Sequence, residues 1–350
     1  MQITVLPAPT HEKVLRVADP TIGLTGFIAI HSTTRGPSAG GLRMRPYETE
    51  AEALADVLNL SRGMTLKTAA ADLPLGGGEA VIMGDPATRT KAQLRAMGRA
   101  IDTLGGTYWT AEDMGLTPAD LKIVREETRF VAGLEDGPFA SGDPSPRTAR
   151  GVFYAMRVAA ERRFGSRDLT GRRVAIQGLG QVGWHLAKLL RAAGAELVVA
   201  DIDPARAAQA ARTFGADVSE PGAILTARAD ILAPCAVGGV LTEAIVPEIR
   251  AALICGAANN QLASDGAGDA LHARGILYAP DYVANAGGIV NVAAEILQIA
   301  DRTRFVTDRL AAMEAMMARI LDAAARRDTG PHRVADAIVA ERLAEAGRAA

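Results

Sequence analysis

The run Gly178-Leu179-Gly180-Gln181-Val182-Gly183 limits the fold of this chain more than any other feature. It stands between Arg173–Gln177, which reads as a buried strand, and residues 181–193, which read as a helix ended by Gly194. The strand-like Glu196–Ala200 comes next, so the context is one βαβ unit of a parallel sheet. In such a unit Gly178 permits the tight turn, Gly180 lets the backbone approach a pyrophosphate, and Gly183 allows close helix packing. Gln181 and Val182 open the helix whose N-terminus would carry the phosphate charge. Asp201 ends the second strand, where a carboxylate takes a ribose hydroxyl and repels an added phosphate; NAD is therefore expected over NADP. Asp203 can share that role, and Arg206 argues the other way. A bare strand-to-helix turn would explain the glycines but not Asp201.

At 350 residues the chain exceeds one comfortable core, and two domains are expected, with a boundary in the Gly- and Pro-rich residues 137–146. Hydrophobic residues at 49% and charged residues at 22% describe an ordinary globular protein. The 38 basic residues against 40 acidic ones leave no field that favours nucleic acid or an anionic membrane. No secretory signal is readable, so a cytoplasmic protein is expected. The apolar residues 283–300 are interrupted by Asn285, Asn291 and Glu295 and read as a buried helix, not a membrane span. Cys235 and Cys255 sit in apolar strand-like runs and read as buried thiols. His11, His31, His185, His272 and His332 show no metal-ligand spacing, so no metal is expected.

The first third alternates strand and helix patterns. Thr49 and Glu52 form a capping box before Leu54, Val57 and Leu58, and that helix is expected to run toward Gly63. Leu94, Met97, Ile101 and Leu104 share the face of a second helix that stops at Gly105-Gly106, and Thr117-Pro118 starts a third. Residues 36–45, 73–78 and 110–115 read as loops between these elements, where sites tend to be built.

Seven segments follow one another in order between about Gly36 and Asn291. They are Gly40-Gly41-Leu42-Arg43-Met44, Gly63-Met64-Thr65-Leu66-Lys67, Leu73-Pro74-Leu75-Gly76-Gly77-Gly78, Thr110-Ala111-Glu112-Asp113-Met114-Gly115, Ala233-Pro234-Cys235-Ala236, Ala257-Ala258-Asn259-Asn260-Gln261-Leu262 and Tyr278-Ala279-Pro280-Asp281-Tyr282-Val283-Ala284-Asn285-Ala286-Gly287-Gly288. Together they resemble the amino-acid dehydrogenases that oxidatively deaminate leucine, valine or phenylalanine. The resemblance implies a two-domain α/β fold: an N-terminal α/β substrate domain over residues 1–140, rejoined by a tail at about 326–350, and a Rossmann-type dinucleotide-binding domain over residues 141–325. It implies hydride transfer from the α-carbon of an L-amino acid, or a related amine, to nicotinamide, then imine hydrolysis to a 2-oxo acid and ammonia. Lys67 would hold the substrate carboxylate, Asp113 would be an acid/base, and Asn260 would fix substrate and nicotinamide. Gly40, Gly41, Met64, Ile289 and Val292 would lie on the substrate side. Ala236, Asn259 and Asn285 would join Gly178, Gly180, Gln181, Val182, Gly183 and Asp201 around the cofactor. A homo-oligomer is implied as well. Alone, Lys67 reads as a solvated lysine, Asp113 as a cap or loop acid, and Asn260 as a turn residue.

The chain departs from the family at Glu79, where the family places a lysine that polarises the substrate and activates water. The change inverts a charge at the centre of the expected chemistry. Three readings stand open. Glu79 is an acid/base in a modified mechanism, with nearby Asp113 raising the pKa of one carboxyl; or it marks an inactivated, NAD-binding homologue; or it faces solvent and the glycine run is displaced by one residue. Ala39, small where leucine-specific relatives carry a larger aliphatic residue, implies a roomy apolar pocket against Ile289 and Val292.

Overall fold

A computed structural model describes residues 1–349 and divides into two compact units: residues 1–144, 289–305 and 341 onward in unit 1, and residues 145–288 and 306–340 in unit 2.

Unit 1 is built on β1 (Gln2–Leu6), β2 (Lys13–Asp19), β3 (Leu24–Ser32), β4 (Ser38–Arg45), α1 (Glu50–Ala70), β5 (Gly76–Met83), α2 (Lys91–Asp102), β6 (Tyr108–Glu112) and α3 (Pro118–Arg125). Its six strands lie in the order β1-β2-β3-β5-β4-β6, with β4 parallel to both β5 and β6 and the remaining pairs antiparallel. The period-2 alternation of strand side chains divides the core. Leu15, Ile28, Leu42 and Ile82 pack with Leu94 and Met97 of α2 and with Leu121 of α3. Val14, Phe27, Ala29 and Val81 pack on the other face with Val57 and Leu60 of α1. Thr90 and Thr117 cap α2 and α3 with full capping boxes. Thr49 caps α1 by accepting from the Glu52 N–H, but the Glu52 carboxylate accepts from the Glu48 N–H and Arg45 and does not return to Thr49.

Three loop expectations are corrected in part. Residues 38–45 form strand β4, and the triglycine opens strand β5. The glycines meet a demand for close approach, not for a turn: a Cβ on Gly77 would lie 2.1 Å from the Thr65 nitrogen, and one on Gly78 would lie 2.8 Å from the Tyr108 ring. Of the expected loop 110–115, Thr110 to Glu112 likewise belong to β6. Helix α1 continues through Gly63 to Ala70 because buried Ser61, Thr65, Thr68 and Ala69 keep the helical face packed beyond it. Met64 and Lys67 therefore stand on the last turns of a helix.

Unit 2 comprises α4 (Ser145–Phe164), β7 (Arg173–Gln177), α5 (Gln181–Ala192), β8 (Glu196–Ala200), α6 (Pro204–Phe214), β9 (Asp217–Val218), β10 (Ile231–Pro234), β11 (Leu253–Ile254), α7 (Asp265–Ala273), β12 (Leu277–Tyr278) and α8 (Asp281–Ala284). Its sheet is parallel throughout in the order β12-β11-β10-β7-β8-β9. The chain leaves β7 toward β8 and later returns to β10 on the other side, which puts a topological switch point at the carboxyl end of β7.

Helix α9 (Gly287–Ile296) ends outside the expected dinucleotide domain: from Ile289 it belongs to unit 1. The Glu295 carboxylate is the reason. Its Oε2 accepts from the Gly133 N–H (2.8 Å), the Ser141 N–H (3.0 Å) and the Ser141 hydroxyl (2.7 Å), while Asn291 donates to the Ser141 carbonyl (3.0 Å). Helices α10 (Arg302–Arg327) and α11 (Pro331–Ala349) complete the chain. The returning tail is shorter than the expected 326–350 and starts at Glu341, where the Arg342 guanidinium donates to the carbonyls of Ala69 and Ala70. Among the described residues, no helix is long and apolar enough to cross a membrane.

Candidate active site

Gly40 and Gly41 lie mid-strand in β4, and the carboxyl group of Glu79 lies across them. A Cβ on Gly40 would meet Glu79 Oε2 at 2.7 Å; one on Gly41 would meet Glu79 Oε1 at 2.7 Å and the Asp113 Cβ at 2.6 Å. The Gly78 carbonyl oxygen, 1.7 Å from the Cβ position, leaves no room for a side chain at Gly40, and the two acids leave none at Gly41. The β4–β5 register runs Ser38↔Gly76, Ala39↔Gly77 and then Leu42↔Ala80. Between those pairs the Gly41 N–H donates to Glu79 Oε1 (2.9 Å), and the Gly41 carbonyl accepts from the Tyr108 hydroxyl (2.6 Å).

Glu79 is 3% exposed, which removes the solvent-facing reading of this residue. Burial pushes its carboxyl well above the usual carboxylate range, and the charge of Asp113 pushes the same way; Arg43, the Gly41 N–H and Lys67 oppose them. Burial and then the nearby Glu79 charge also push the Tyr108 hydroxyl well above its ordinary value. The Arg43 guanidinium, itself buried, donates from Nε to Asp113 Oδ2 (2.7 Å) and from Nη1 to Asp56 Oδ2 (3.2 Å). Tyr47 donates its hydroxyl to the same Asp56 oxygen (2.7 Å).

Unit 1 places Gly40, Gly41, Lys67, Glu79 and Asp113 near one another, with Arg43 and Tyr108, to which no role had been assigned, beside them. An arginine between Leu42 and Met44, both buried, was the available signal for Arg43. Tyr108 gave no local signal. Met64 stands half-buried one turn before Lys67, and Ala39, Ile289 and Val292 are buried in unit 1, the last two one turn apart on α9. Glu112, at the end of β6, has its carboxyl raised to about 7 by burial and by Asp143, Asp113, Asp120 and Glu135.

In unit 2 the fingerprint turn has the geometry that a dinucleotide needs. Gly178 has φ +92, where a side chain would be strained. A Cβ on Gly183 would lie 2.1 Å from the Gly178 carbonyl oxygen, so that glycine serves helix packing. A Cβ on Gly180 would meet nothing within 4 Å, which leaves open space for a phosphate where α5 begins with Gln181 and Val182. Asp201 accepts from the Leu179 N–H (2.6 Å) and the Asp203 N–H (2.9 Å), so it braces the turn as well as ending β8. The exposed apolar side chains Ile202 and Val237 follow Asp201 and Ala236 at the carboxyl ends of β8 and β10. Asn285 donates to Asn259 Oδ1 (2.9 Å) and to the Ala257 carbonyl (3.1 Å), while its own Oδ1 is buried without a partner. An amide N–H, such as the carboxamide of nicotinamide carries, would satisfy that oxygen. Asn260 is exposed with φ 51, and its carbonyl accepts from the Gly239 N–H (2.7 Å).

The Glu/Leu/Phe/Val dehydrogenase dimerisation domain matches residues 11–130, and the Glutamate/Leucine/Phenylalanine/Valine dehydrogenase family matches residues 142–207 and 205–350. Leucine dehydrogenase of Bacillus cereus is 44% identical over 335 residues, covering 95% of this chain and 91% of the relative. The crystal structure of L-tryptophan dehydrogenase from Nostoc punctiforme superposes with a TM-score of 0.78 at 39% identity, covering 97% of each chain. Hetero-hexameric glutamate dehydrogenase from Thermus thermophilus, in a leucine-bound form, is 25% identical with a TM-score of 0.75, over 96% of this chain and 88% of that one. With both matched regions carried on the two units described above, the chain belongs to the glutamate/leucine/phenylalanine/valine dehydrogenase family.

Proposed function

We propose that this amino-acid dehydrogenase oxidatively deaminates an apolar L-amino acid or a related amine with NAD, and that Glu79 acts as an acid/base at the position where the resemblance implies a lysine. The observation that carries the reading is the Glu79 carboxyl, buried beside Asp113 and held by the Gly41 N–H. Two neighbouring carboxyl groups with different surroundings divide the acid and base roles. Asp113 is tied to a guanidinium, whereas Glu79 is buried in the field of Asp113, which shifts its carboxyl toward the protonated form. In deamination Glu79 acts from its ionised form: it accepts a proton from the water that attacks the imine carbon and passes it to the nitrogen that leaves as ammonia. In the reverse direction its protonated form donates to the oxygen of the 2-oxo acid and of the carbinolamine. Asp113 takes the proton of the substrate amine. Lys67 pairs with the substrate carboxylate, and Met64, Ala39, Ile289 and Val292 face its side chain.

When bound, nicotinamide supplies the hydride acceptor. Asn285 would take its carboxamide, with Asn259, Asn260 and Ala236 beside it, and Gly178 to Gly183 would cradle the pyrophosphate. Asp201 would take the adenosine ribose, and Ile202 and Val237 would cover the base. Preference for NAD is supported by Arg206, the nearby cation suited to a 2′-phosphate, which pairs with Asp203 at 3.5 Å. We also propose a homo-oligomer, because the outermost strand β1 is largely exposed, with Val5 67% accessible, and because the match to unit 1 is a dimerisation domain. A cytoplasmic location suits free Cys235 and Cys255. Cofactor reduction measured with NAD and NADP across apolar amino acids and the matching amines tests the reading. NAD binding without turnover of any of them establishes the inactivated homologue instead.

A further inference from the structure

Unit 2 contains a cavity of about 650 Å³ that neither the fingerprint turn nor the amino-acid cluster uses. Small-molecule sites typically span about 300–1,000 Å³. Its lining includes Arg163, Arg250, Arg274, Glu248, Ile249 and Ile276. Residues 251–252 and 275–276 of the lining immediately precede β11 and β12, so the cavity opens at the amino ends of the parallel strands. The turn at Gly178, Asp201 and Ala236 follow β7, β8 and β10, at the opposite ends of the same sheet. A ligand in the cavity therefore leaves the dinucleotide region free.

Three arginines and one glutamate line this cavity, so its charge is net positive. Nearby Arg162, Arg167, Arg172 and Arg173 all have a carboxylate partner. Among the described residues, Arg163, Arg250 and Arg274 have none. Arg163 Nε donates to the Ala252 carbonyl (3.2 Å), and Arg274 Nη1 donates to the carbonyls of Ile249 (2.9 Å) and Val246. These bonds fix two guanidiniums through the backbone and leave their other N–H donors for a ligand. Glu248 is the opposing carboxylate in the lining, so the arginines outweigh it. Arg163 lies in the last turn of α4 and Arg274 caps α7, positions where a helix dipole alone favours a cation. Arg250 lies in no helix and has no such role. No aromatic ring lines the cavity, so a nucleobase would find nothing to stack on.

We propose that this cavity binds a compact polyanion, a phosphate or polycarboxylate, between the guanidiniums of Arg163, Arg250 and Arg274 and independently of the dinucleotide. Guanidinium forks match both kinds of oxyanion. The test is calorimetric titration of the intact protein with inorganic pyrophosphate and with citrate, with and without saturating NAD, for the parent, Arg250→Ala and Arg163→Ala. Arg274 is left intact because its carbonyl bonds hold the turn. The expected result is one ion per chain that still binds with NAD present, weakened about tenfold or more by Arg250→Ala at unchanged melting temperature. The tighter of the two ions identifies phosphate or carboxylate as the natural chemistry. Binding that NAD abolishes would place the ion at the fingerprint turn and overturn the proposal. Failure of both ions to bind at millimolar concentration, or equal binding by the parent and both variants, would overturn it as well.

Discussion

Replacing Arg43 with glutamine removes a cation that holds two acids at once. Its guanidinium lies 2.7 Å from Asp113 and 3.2 Å from Asp56, with its own side chain 10% exposed. Removing one partner of a buried ion pair costs about 3–5 kcal/mol, chiefly because the remaining charge loses its compensation. Asp113 and Asp56 keep 25% and 23% of their side-chain surface in solvent, which lets water recover part of that loss. The low end, about 3 kcal/mol, is therefore expected. At about 2–4 °C per kcal/mol for a domain of this size, the melting step of unit 1 should fall by about 6–12 °C. The function should suffer separately. Arg43 opposes the rise in the Glu79 pKa, so its loss moves that pKa further up, and the acidic limb of the pH–rate profile for deamination, where Glu79 must be ionised to take a proton from water, should move to higher pH. Arg43→Lys keeps the charge but cannot serve both acids with the same fork, and should fall between the two proteins. The assays are calorimetric unfolding and turnover against pH. An Arg43→Gln protein with parental melting and an unshifted profile would refute the assignment of Arg43 as the group that sets the charge state of this cluster.

Three further outcomes are expected. Lys67→Ala should weaken binding of an amino acid by about 10- to 150-fold, the equivalent of about 1.5–3 kcal/mol for a charged hydrogen bond, and should leave the matching amine unaffected; equal binding constants before and after the change remove Lys67 from the site. Asp201→Ser should weaken NAD and narrow the preference over NADP in a fluorescence titration, with some loss of order in the turn because Asp201 also accepts from the Leu179 N–H. In urea unfolding, Glu79→Gln should gain on the parent as pH rises above the ordinary glutamate value of about 4.5. The sign follows from the raised folded-state pKa: the contribution of Glu79 is complete below its unfolded pKa and is lost as pH rises toward the folded one. A stability difference that does not change between pH 4 and 8 contradicts the burial of this carboxyl.

The parts of this molecule that were legible in the sequence are those whose causes are local. The fingerprint turn, its flanking strands and the Asp201 strand end lie within about thirty residues, and the periodicity of β7, α5 and β8 is set by their own side chains. The Thr90 and Thr117 caps are local too. Gly40, Gly41, Gly77 and Gly78 were misread as loop because a glycine demanded by a turn and one demanded by close approach look alike in a sequence. What presses on them comes from Thr65, Tyr108, Glu79 and Asp113, tens of residues away. Gly63 misled in the opposite direction, since packing carries α1 past it. The allegiance of α9 was hidden for a similar reason: the partners of Glu295 lie 154 and 162 residues back along the chain. The resemblance located Glu79 and Asp113, but only tertiary packing shows that Glu79 is enclosed and that Arg43 holds Asp113.

The central claim is that Glu79 moves a proton in turnover. It is tested most directly by comparing kcat/KM of the parent and Glu79→Gln on the best apolar amino acid, with NAD affinity measured alongside. Glutamine keeps the shape of the side chain and removes its proton. A positioned acid/base is worth about 10²- to 10⁴-fold, so the account predicts a fall of at least about a hundredfold in kcat/KM at unchanged NAD affinity. Equal turnover by the two proteins contradicts it, as does a parent that is inactive on every apolar amino acid and gains activity only through Glu79→Lys.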